Sequence, residues 1–128
     1  MPRQGPIALK VLLFADEERA FGPGRADVLE AIQREGSISA AGRSLGMSYR
    51  FTWLLVNSMN SCFREKLVAA APGGKSGGGA ALTDAGKQAL GAYRALERQL
   101  MDCADGEPAR RLSALLRGAD EVVPAPGE

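Results

Sequence analysis

Between Gly36 and Asn60, apolar residues recur at intervals of three and four in two short segments separated by a glycine-containing turn. Ser37 and Ser48 each precede a segment, where a side-chain oxygen commonly caps a helix. Gly46 supplies the residue tolerant of positive φ that helix ends often need. The inward positions are Ile38, Ala41 and Leu45 in the first segment and Thr52, Val56 and Met59, with Trp53 and Leu55 beside them, in the second. The spacing predicts a helix-turn-helix.

The outward face of the second predicted helix carries Arg50, Leu54 and Asn57. In a DNA-binding helix-turn-helix this face enters the major groove, chiefly through its N-terminal half. An ordinary αα-hairpin has the same apolar spacing, so the pattern alone leaves both interpretations open.

Directly after this helix, two short apolar runs flank a glycine-rich loop. The runs are Leu67–Ala71 and Ala80–Leu82, and the loop Pro72–Gly79 carries Lys75. This pattern predicts a β-hairpin with a long tip. A hairpin in this position is typical of the wing of a winged helix-turn-helix, where backbone amides and Lys75 would meet phosphates.

The N-terminal part predicts strands followed by a helix. Ile7–Phe14 is apolar enough for one strand, and a short second strand is predicted around Arg19–Phe21. An amphipathic helix is predicted from about Arg25 to Gly36, as the third member of a trihelical core. Its acidic residues, such as Asp27, fit a solvated helix face and need no catalytic role.

A long apolar stripe follows the predicted wing. Thr83 is the expected N-cap of its helix. The stripe consists of Leu90, Tyr93, Leu96 and Leu100. A lone domain of this size does not need so long a stripe, which therefore predicts a homodimer interface; packing back on the same domain is the alternative. A dimer would hold two recognition helices about one DNA turn apart, as reading a palindrome requires.

Taken together, the elements predict an α+β, mainly α fold. Residues 1–88 are expected to form a winged helix-turn-helix domain with N-terminal strands, residues 89–118 a helical dimerisation segment, and residues 119–128 an irregular tail. A short helix is predicted over Pro108–Arg117.

Charge is unevenly distributed along the 128 residues. The net charge is only +1, yet residues 36–88 contain six basic and two acidic residues. The basic excess therefore lies on the predicted helix-turn-helix and wing, where phosphate neutralisation would need it. No apolar run is long enough to span a bilayer, and the N-terminus lacks the features of a signal peptide, so we expect a cytoplasmic protein with no membrane partner.

Residues suited to catalysis or metal binding are sparse. The chain has no histidine, and Cys62 and Cys103 stand alone, so we expect no metal site, disulfide framework or cofactor. Gly74–Ser76 is similar to the end of a phosphate-binding loop, but Ala69 occupies the position of a glycine that such a loop requires. A nucleophile elbow is also missing, and enzymatic activity is not expected.

Several short motifs follow one another along the chain. They are Gly36-Ser37-Ile38-Ser39, Met47-Ser48-Tyr49-Arg50 with Trp53, Met59-Asn60, Leu67-Val68, the loop Gly73–Ala80, and Leu82-Thr83-Asp84-Ala85-Gly86. Together, from about Phe21 to Tyr93, they resemble the N-terminal DNA-binding domain of ModE-like molybdate-responsive regulators. The resemblance implies a dimeric winged helix that binds a promoter palindrome, with a link to molybdate or metal homeostasis. Family members continue into paired molybdate-binding domains; since this chain ends at Glu128, we expect it to resemble the stand-alone branch.

The chain departs from the family's pattern at two places. Ala69 and Ala70 stand where the wing usually carries a charged pair, which leaves Lys75 and backbone amides for wing contacts. Phe51 and Leu54 stand where more polar residues are common in the recognition helix. They either read thymine methyl groups or mark a loss of DNA binding.

The resulting hypothesis is a homodimer that presents the second helix of the motif to double-stranded DNA. The candidate DNA-binding residues are Ser39, Arg43, Ser48, Tyr49, Arg50, Phe51, Leu54 and Lys75. Arg50 is the candidate for a guanine or phosphate contact, and Arg43 and Lys75 are candidates for phosphate contacts. Trp53 adjoins the apolar face and is expected to lie in the core.

Two alternative functions stay open. One is a protein-interaction module that has lost DNA affinity and binds a partner through Phe51 and Leu54. The other is a small-ligand or thiol sensor that uses the dimer interface and Cys103.

Overall fold

The computed structural model describes residues 1–72 and 78–127. In these residues the helices are α1 (Pro23–Glu35), α2 (Ile38–Ser44), α3 (Tyr49–Cys62), α4 (Asp84–Met101) and α5 (Glu107–Ala114), with a 3₁₀-helix at Asp102–Asp105. The strands are β1 (Arg3–Gln4), β2 (Ile7–Ala8), β3 (Leu13–Ala15), β4 (Glu18–Phe21), β5 (Val68–Ala71) and β6 (Gly79–Leu82). They pair as three antiparallel hairpins, β1–β2, β3–β4 and β5–β6. The predicted α+β, mainly α fold is confirmed.

The core lies between α1, the helix-turn-helix and α4. Its largest fully buried side chains include Phe21, Leu29, Ile32, Met59 and Leu67. They come from β4, α1, α3 and the segment before β5, so one apolar cluster joins elements from both ends of the chain. Its burial is the main force that holds the domain together.

The helix-turn-helix forms as the serine caps and glycines predict. The Ser37 hydroxyl accepts a hydrogen bond from the amide of Ala40 at 3.0 Å. Gly46 has a φ of 70°, in the left-handed region that the turn requires. At Gly42 a Cβ would lie 2.5 Å from the Thr52 hydroxyl, so this glycine permits the close packing of α2 on α3. Helix α2 ends at Ser44, one residue before the predicted end.

Asn60, near the end of α3, holds the start of the wing, the hairpin β5–β6. Its amide oxygen accepts hydrogen bonds from the backbone amides of Leu67 at 2.9 Å and Val68 at 3.2 Å. Its amide nitrogen donates to the Val68 carbonyl at 3.0 Å. A single side chain therefore satisfies the backbone groups that begin β5, and it fixes this hairpin to α3.

The start of helix α4 packs against the backbone of Leu67. Thr83 accepts a hydrogen bond from the amide of Gly86 at 3.0 Å, and its own amide donates to the Leu67 carbonyl at 3.0 Å. A Cβ at Gly86 would overlap the Leu67 carbonyl oxygen. The Leu-Thr-x-x-Gly motif thus docks the start of α4 onto the segment that immediately precedes β5.

The acidic residues of α1 do more than face solvent. The Arg94 guanidinium on α4 donates to Glu30 at 2.6 Å, to Asp27 at 2.8 Å and to Glu97 at 2.9 Å. Burial alone would lower the pKa of Arg94, but the hydrogen bonds to the three carboxylates raise it above its ordinary range. The carboxylates of Asp27 and Glu30 keep 49% and 45% of their side-chain surface exposed, so the expected solvated face is observed and also carries an ionic link from α1 to α4.

The N-terminal strands differ from the prediction. The single strand predicted over Ile7–Phe14 is interrupted, and its residues contribute instead to β2 and β3 in two separate hairpins. The second hairpin carries a register shift between Leu13 and Phe14. An unbroken apolar run does not reveal such a break, because apolar content and pairing partner are independent properties of a segment.

The apolar stripe on α4 divides into two parts. Leu90 and Tyr93 are buried in the protomer core, so their placement in a dimer interface was wrong. The centroid of the Tyr93 ring lies 5.0 Å from that of Phe21, and the Tyr93 hydroxyl donates a hydrogen bond to the Val11 carbonyl at 2.7 Å. Burial is the larger cause, and the negative charge of Glu97 the second, of a pKa of Tyr93 that is raised above its ordinary value. Leu96 and Leu100 lie beyond this core and are 40% and 39% exposed.

The C-terminal part is less regular. Helix α4 continues across residue 88, the boundary expected between the domain and the helical segment. The predicted helix over Pro108–Arg117 forms as α5, which ends earlier, at Ala114. Residues 119–127 contain no helix or strand, which agrees with the predicted irregular tail. Within the described ranges, no helix is sufficiently long and apolar to cross a membrane.

The close approach of α4 to Leu67 predicts opposite effects for two alanine substitutions in one helix. Gly86→Ala should lower the free energy of unfolding by about 1–3 kcal/mol, because its Cβ displaces a backbone carbonyl. Gly91→Ala, whose Cβ meets nothing within 4 Å, should raise it by about 0.5–1 kcal/mol. Urea denaturation followed by circular dichroism measures both. Equal effects of the two substitutions would contradict the proposed docking.

Candidate nucleic-acid interface

The N-terminal half of α3 presents large side chains to solvent. The hydroxyl of Ser48 accepts a hydrogen bond from the amide of Phe51 at 3.1 Å and so caps the helix. The first turn that follows exposes Tyr49 (57%) and Phe51 (50%), and one turn later Leu54 is 48% exposed. The structure therefore shows Ser48 as the N-cap of α3. The side chains of Tyr49, Phe51 and Leu54 are exposed to solvent.

Buried residues fix which face of α3 points outward. Thr52, Val56 and Met59 are buried and define the inner face. Arg50 and Leu54 project on the opposite side and are exposed. The guanidinium of Arg50 forms no salt bridge with any residue that the structure describes. It is thus available to a ligand approaching α3.

The other polar candidates lie on α2 and the wing. The Arg43 guanidinium donates a hydrogen bond to the Ser39 hydroxyl at 2.8 Å. These two residues, both predicted to contact DNA, therefore form one polar pair along α2. Lys75 falls outside the described residues. Sequence reasoning did not anticipate the pairing of Arg43 with Ser39, although their separation of four residues places them on one helix face.

Trp53 was expected in the core, and this was wrong. Its side chain is 43% exposed and lies on the flank of α3 that faces the wing. The residue spacing could have predicted this exposure. Trp53 follows Tyr49 by four residues and therefore lies on the same flank of α3 as Tyr49, rather than on the face of the buried Thr52. Trp53 joins the candidate interface as a residue that sequence reasoning missed.

Two open grooves flank α3. The wing groove, about 560 Å³, lies between α3 and the wing, and its lining includes Ser39, Tyr49, Trp53, Asn57, Ala69 and Ala80. The hairpin groove, about 490 Å³, lies between α3 and the N-terminal segment, and its lining includes Lys10, Arg19, Arg25, Met47, Phe51 and Leu55. Helix α3 therefore projects between two grooves. A projecting helix of this kind fits the major groove of DNA, which is wide enough to admit one α-helix.

The side chains on this surface have the chemistry that recognition of DNA bases requires. Apolar side chains such as Phe51 and Leu54 contact thymine methyl groups, and an arginine such as Arg50 donates two hydrogen bonds to guanine. Among the described residues, no group of three or more metal-ligating side chains is close enough to hold a metal ion.

Comparison with known proteins assigns the family. No protein-family model matches the chain. The chain is 35% identical over 113 residues to the "DNA-binding transcriptional dual regulator ModE" of Escherichia coli K12, a match that covers 86% of this chain and 41% of that protein. It is 43% identical over 100 residues to the "Molybdenum-pterin-binding protein MopA" of Rhodobacter capsulatus, covering 78% and 37%. The chain belongs to the ModE-like family.

A third relative shows the same partial coverage. The "Molybdenum transport protein ModE" of Azotobacter vinelandii is 38% identical over 96 residues, which are 75% of this chain and 36% of that protein. The chain thus spans well under half the length of these ModE-like relatives. The expected membership of the family is confirmed.

The position of Trp53 predicts a fluorescence signature that is simple to read, because the chain has only one tryptophan. Acrylamide should quench its emission efficiently in the free protein, since the indole is partly exposed. A saturating DNA duplex should protect it, because the wing groove would be covered. Strong shielding in the free protein would contradict the position of Trp53, and unchanged quenching with bound DNA would remove it from the interface.

Proposed function

We propose that this ModE-like chain is a sequence-specific, DNA-binding transcriptional regulator that inserts α3 into the major groove. The observation that carries the proposal is the exposed outward face of α3, with Tyr49, Arg50, Phe51 and Leu54, on a helix whose inner face is locked into the core. The names of the ModE relatives, among them a DNA-binding transcriptional regulator, support it. Cytoplasmic location and absence of catalysis are parts of the same proposal.

The proposed regulator is a homodimer. Leu96 and Leu100 continue the stripe of α4 beyond the core and have no buried partner surface within the described part of the protomer. The hydrogen bond from Tyr93 to Val11 joins the segment before β3 to α4, and Leu13 and Phe14 of β3 are exposed. An interface of these side chains would place two α3 helices for the half-sites of a palindrome, about 34 Å apart.

A link to molybdenum is proposed on the relatives alone. Their names refer to molybdenum transport and molybdenum-pterin binding. No described residue of this chain is assigned to an oxyanion, and the proposed role of the domain is DNA binding in a molybdenum-linked response.

The second candidate function is a protein-interaction module. The specific observation in its favour is that three large apolar side chains of α3, Phe51, Trp53 and Leu54, are each 43–50% exposed. Aromatic residues are enriched at protein interfaces as well. The two functions separate experimentally, because only DNA binding depends steeply on salt.

Selection from a randomised duplex library tests the DNA-binding proposal. The purified protein should enrich a palindromic consensus, and Arg50→Ala should weaken binding to that duplex by about 1–3 kcal/mol. If Arg50 reads a base, the variant also loses preference at one position in each half-site. If Arg50 contacts phosphate, all sequences weaken alike. Arg117→Ala, which lies between α5 and the tail, is the matched control and should bind as the unaltered protein does. Failure to enrich any sequence at low salt would contradict the function.

Paired substitutions on α4 test the dimer. Leu96→Glu with Leu100→Glu should yield a monomer in sedimentation equilibrium, since each buried leucine contributes about 1.5–3 kcal/mol to an apolar interface. Val122→Glu with Val123→Glu, on exposed tail residues, adds the same charge and should leave the dimer intact. A monomeric unaltered protein at micromolar concentration, or a dimer that survives the α4 substitutions, would overturn this part of the proposal.

A further inference from the structure

The two grooves beside α3 differ in charge. The lining of the wing groove contains no charged side chain among the residues that the structure describes. The hairpin groove is lined by three cations, Lys10, Arg19 and Arg25. Either side of an inserted recognition helix faces a phosphate backbone, so cations are expected on both flanks. Among the groove linings that the structure describes, the cations lie on the hairpin side.

The three cations of the hairpin groove are not neutralised by the protein. None of them takes part in a salt bridge within residues 1–72 and 78–127. The acidic turn of the β3–β4 hairpin, Asp16–Glu18, is absent from the groove's described lining. Lys10 and Arg19 are exposed, whereas Arg25 donates hydrogen bonds to the carbonyls of Arg19 and Ala20 at 2.6 and 3.0 Å. Arg25 thus holds the end of β4 in place beside α1.

The hairpin groove also borders the residues proposed to read bases. Phe51 and Leu55 lie on the flank of α3 that lines it, and Met47 of the turn closes its end. Phe51 therefore has one side toward the proposed major-groove surface and one side toward the three cations. A duplex that receives α3 would bring a backbone strand alongside this groove.

We propose that the hairpin groove is a phosphate-binding surface of the DNA interface, in which Lys10 and Arg19 contact the DNA backbone on the side of α3 opposite the wing. The inference rests on the proposed DNA-binding function and adds to it a second basic contact region, built by the N-terminal hairpins rather than by the helix-turn-helix. It explains how a domain with uncharged Ala69 and Ala70 on β5 would hold its recognition helix against DNA.

The test uses the double variant Lys10→Gln/Arg19→Gln, which removes two exposed cations and leaves Arg25 to support the backbone. Its control is Arg98→Gln/Arg117→Gln, which makes the same change of charge on α4 and between α5 and the tail. Fluorescence anisotropy measures the affinity of each protein for the duplex recovered in the selection and for a scrambled duplex, at salt concentrations from about 50 to about 200 mM. Circular dichroism establishes that each variant is folded, and Lys10→Gln alone replaces the double variant if that one is not.

The double variant should bind both duplexes more weakly, by roughly tenfold at the higher salt, and its salt dependence should flatten by about 0.9 in slope for each phosphate that is no longer neutralised. The ratio of the two affinities should stay unchanged, because phosphate contacts carry no sequence information. For Lys10→Gln alone, about half of the slope change is expected.

Two other results would distinguish a failure of the hairpin-groove proposal from a failure of the proposed DNA-binding function. If the unaltered protein binds duplexes but the double variant keeps the salt slope of its control, the role of the hairpin groove is wrong and the proposed function stands. If the unaltered protein binds neither duplex at the lower salt concentration, the proposed function fails and the groove's role fails with it.

Discussion

The domain depends on how the backbone of Leu67 is held. Its amide donates to the side chain of Asn60, its carbonyl accepts from the amide of Thr83, and Gly86 leaves room for that carbonyl. Its own side chain is fully buried in the core. Since Asn60 belongs to α3 and Thr83 caps α4, one residue joins α3, the wing and the last long helix. Removing any of these contacts would leave buried backbone groups unsatisfied, which is costly.

This junction determines what α3 can offer to a ligand. With its inner face packed and its C-terminal end fixed to the wing, α3 can project only its outward face and two flanks. The outward face carries Arg50 and Leu54, the wing flank Trp53, and the hairpin flank Phe51. In this ModE-like chain, side chains suited to reading bases therefore lie on a helix whose position is fixed, and the cations Lys10 and Arg19 line the hairpin groove beside it.

Helical periodicity and capping residues were sufficient to predict the helix-turn-helix and α4, and two apolar runs around a glycine-rich loop were sufficient to predict the hairpin β5–β6, because these signals are local. Contacts between distant segments were not predictable in the same way. The ion cluster of Arg94 joins residues more than sixty positions apart, and the burial of Tyr93 depends on Phe21 and Val11. The misplacement of Trp53 had another cause, since a broad apolar face was assumed where the helix buries a narrow one. The proposed DNA contacts themselves stay predictions.

The most direct test of α3 as the nucleic-acid surface is an NMR titration of the ¹⁵N-labelled protein with a short DNA duplex. We expect the largest amide shift changes on the N-terminal half of α3, from Tyr49 to Asn57, with further changes along the walls of the two grooves, while α5 is unaffected. Changes confined to α4 and α5, or spread evenly over the surface without a maximum at α3, would contradict the claim that this helix is the recognition element.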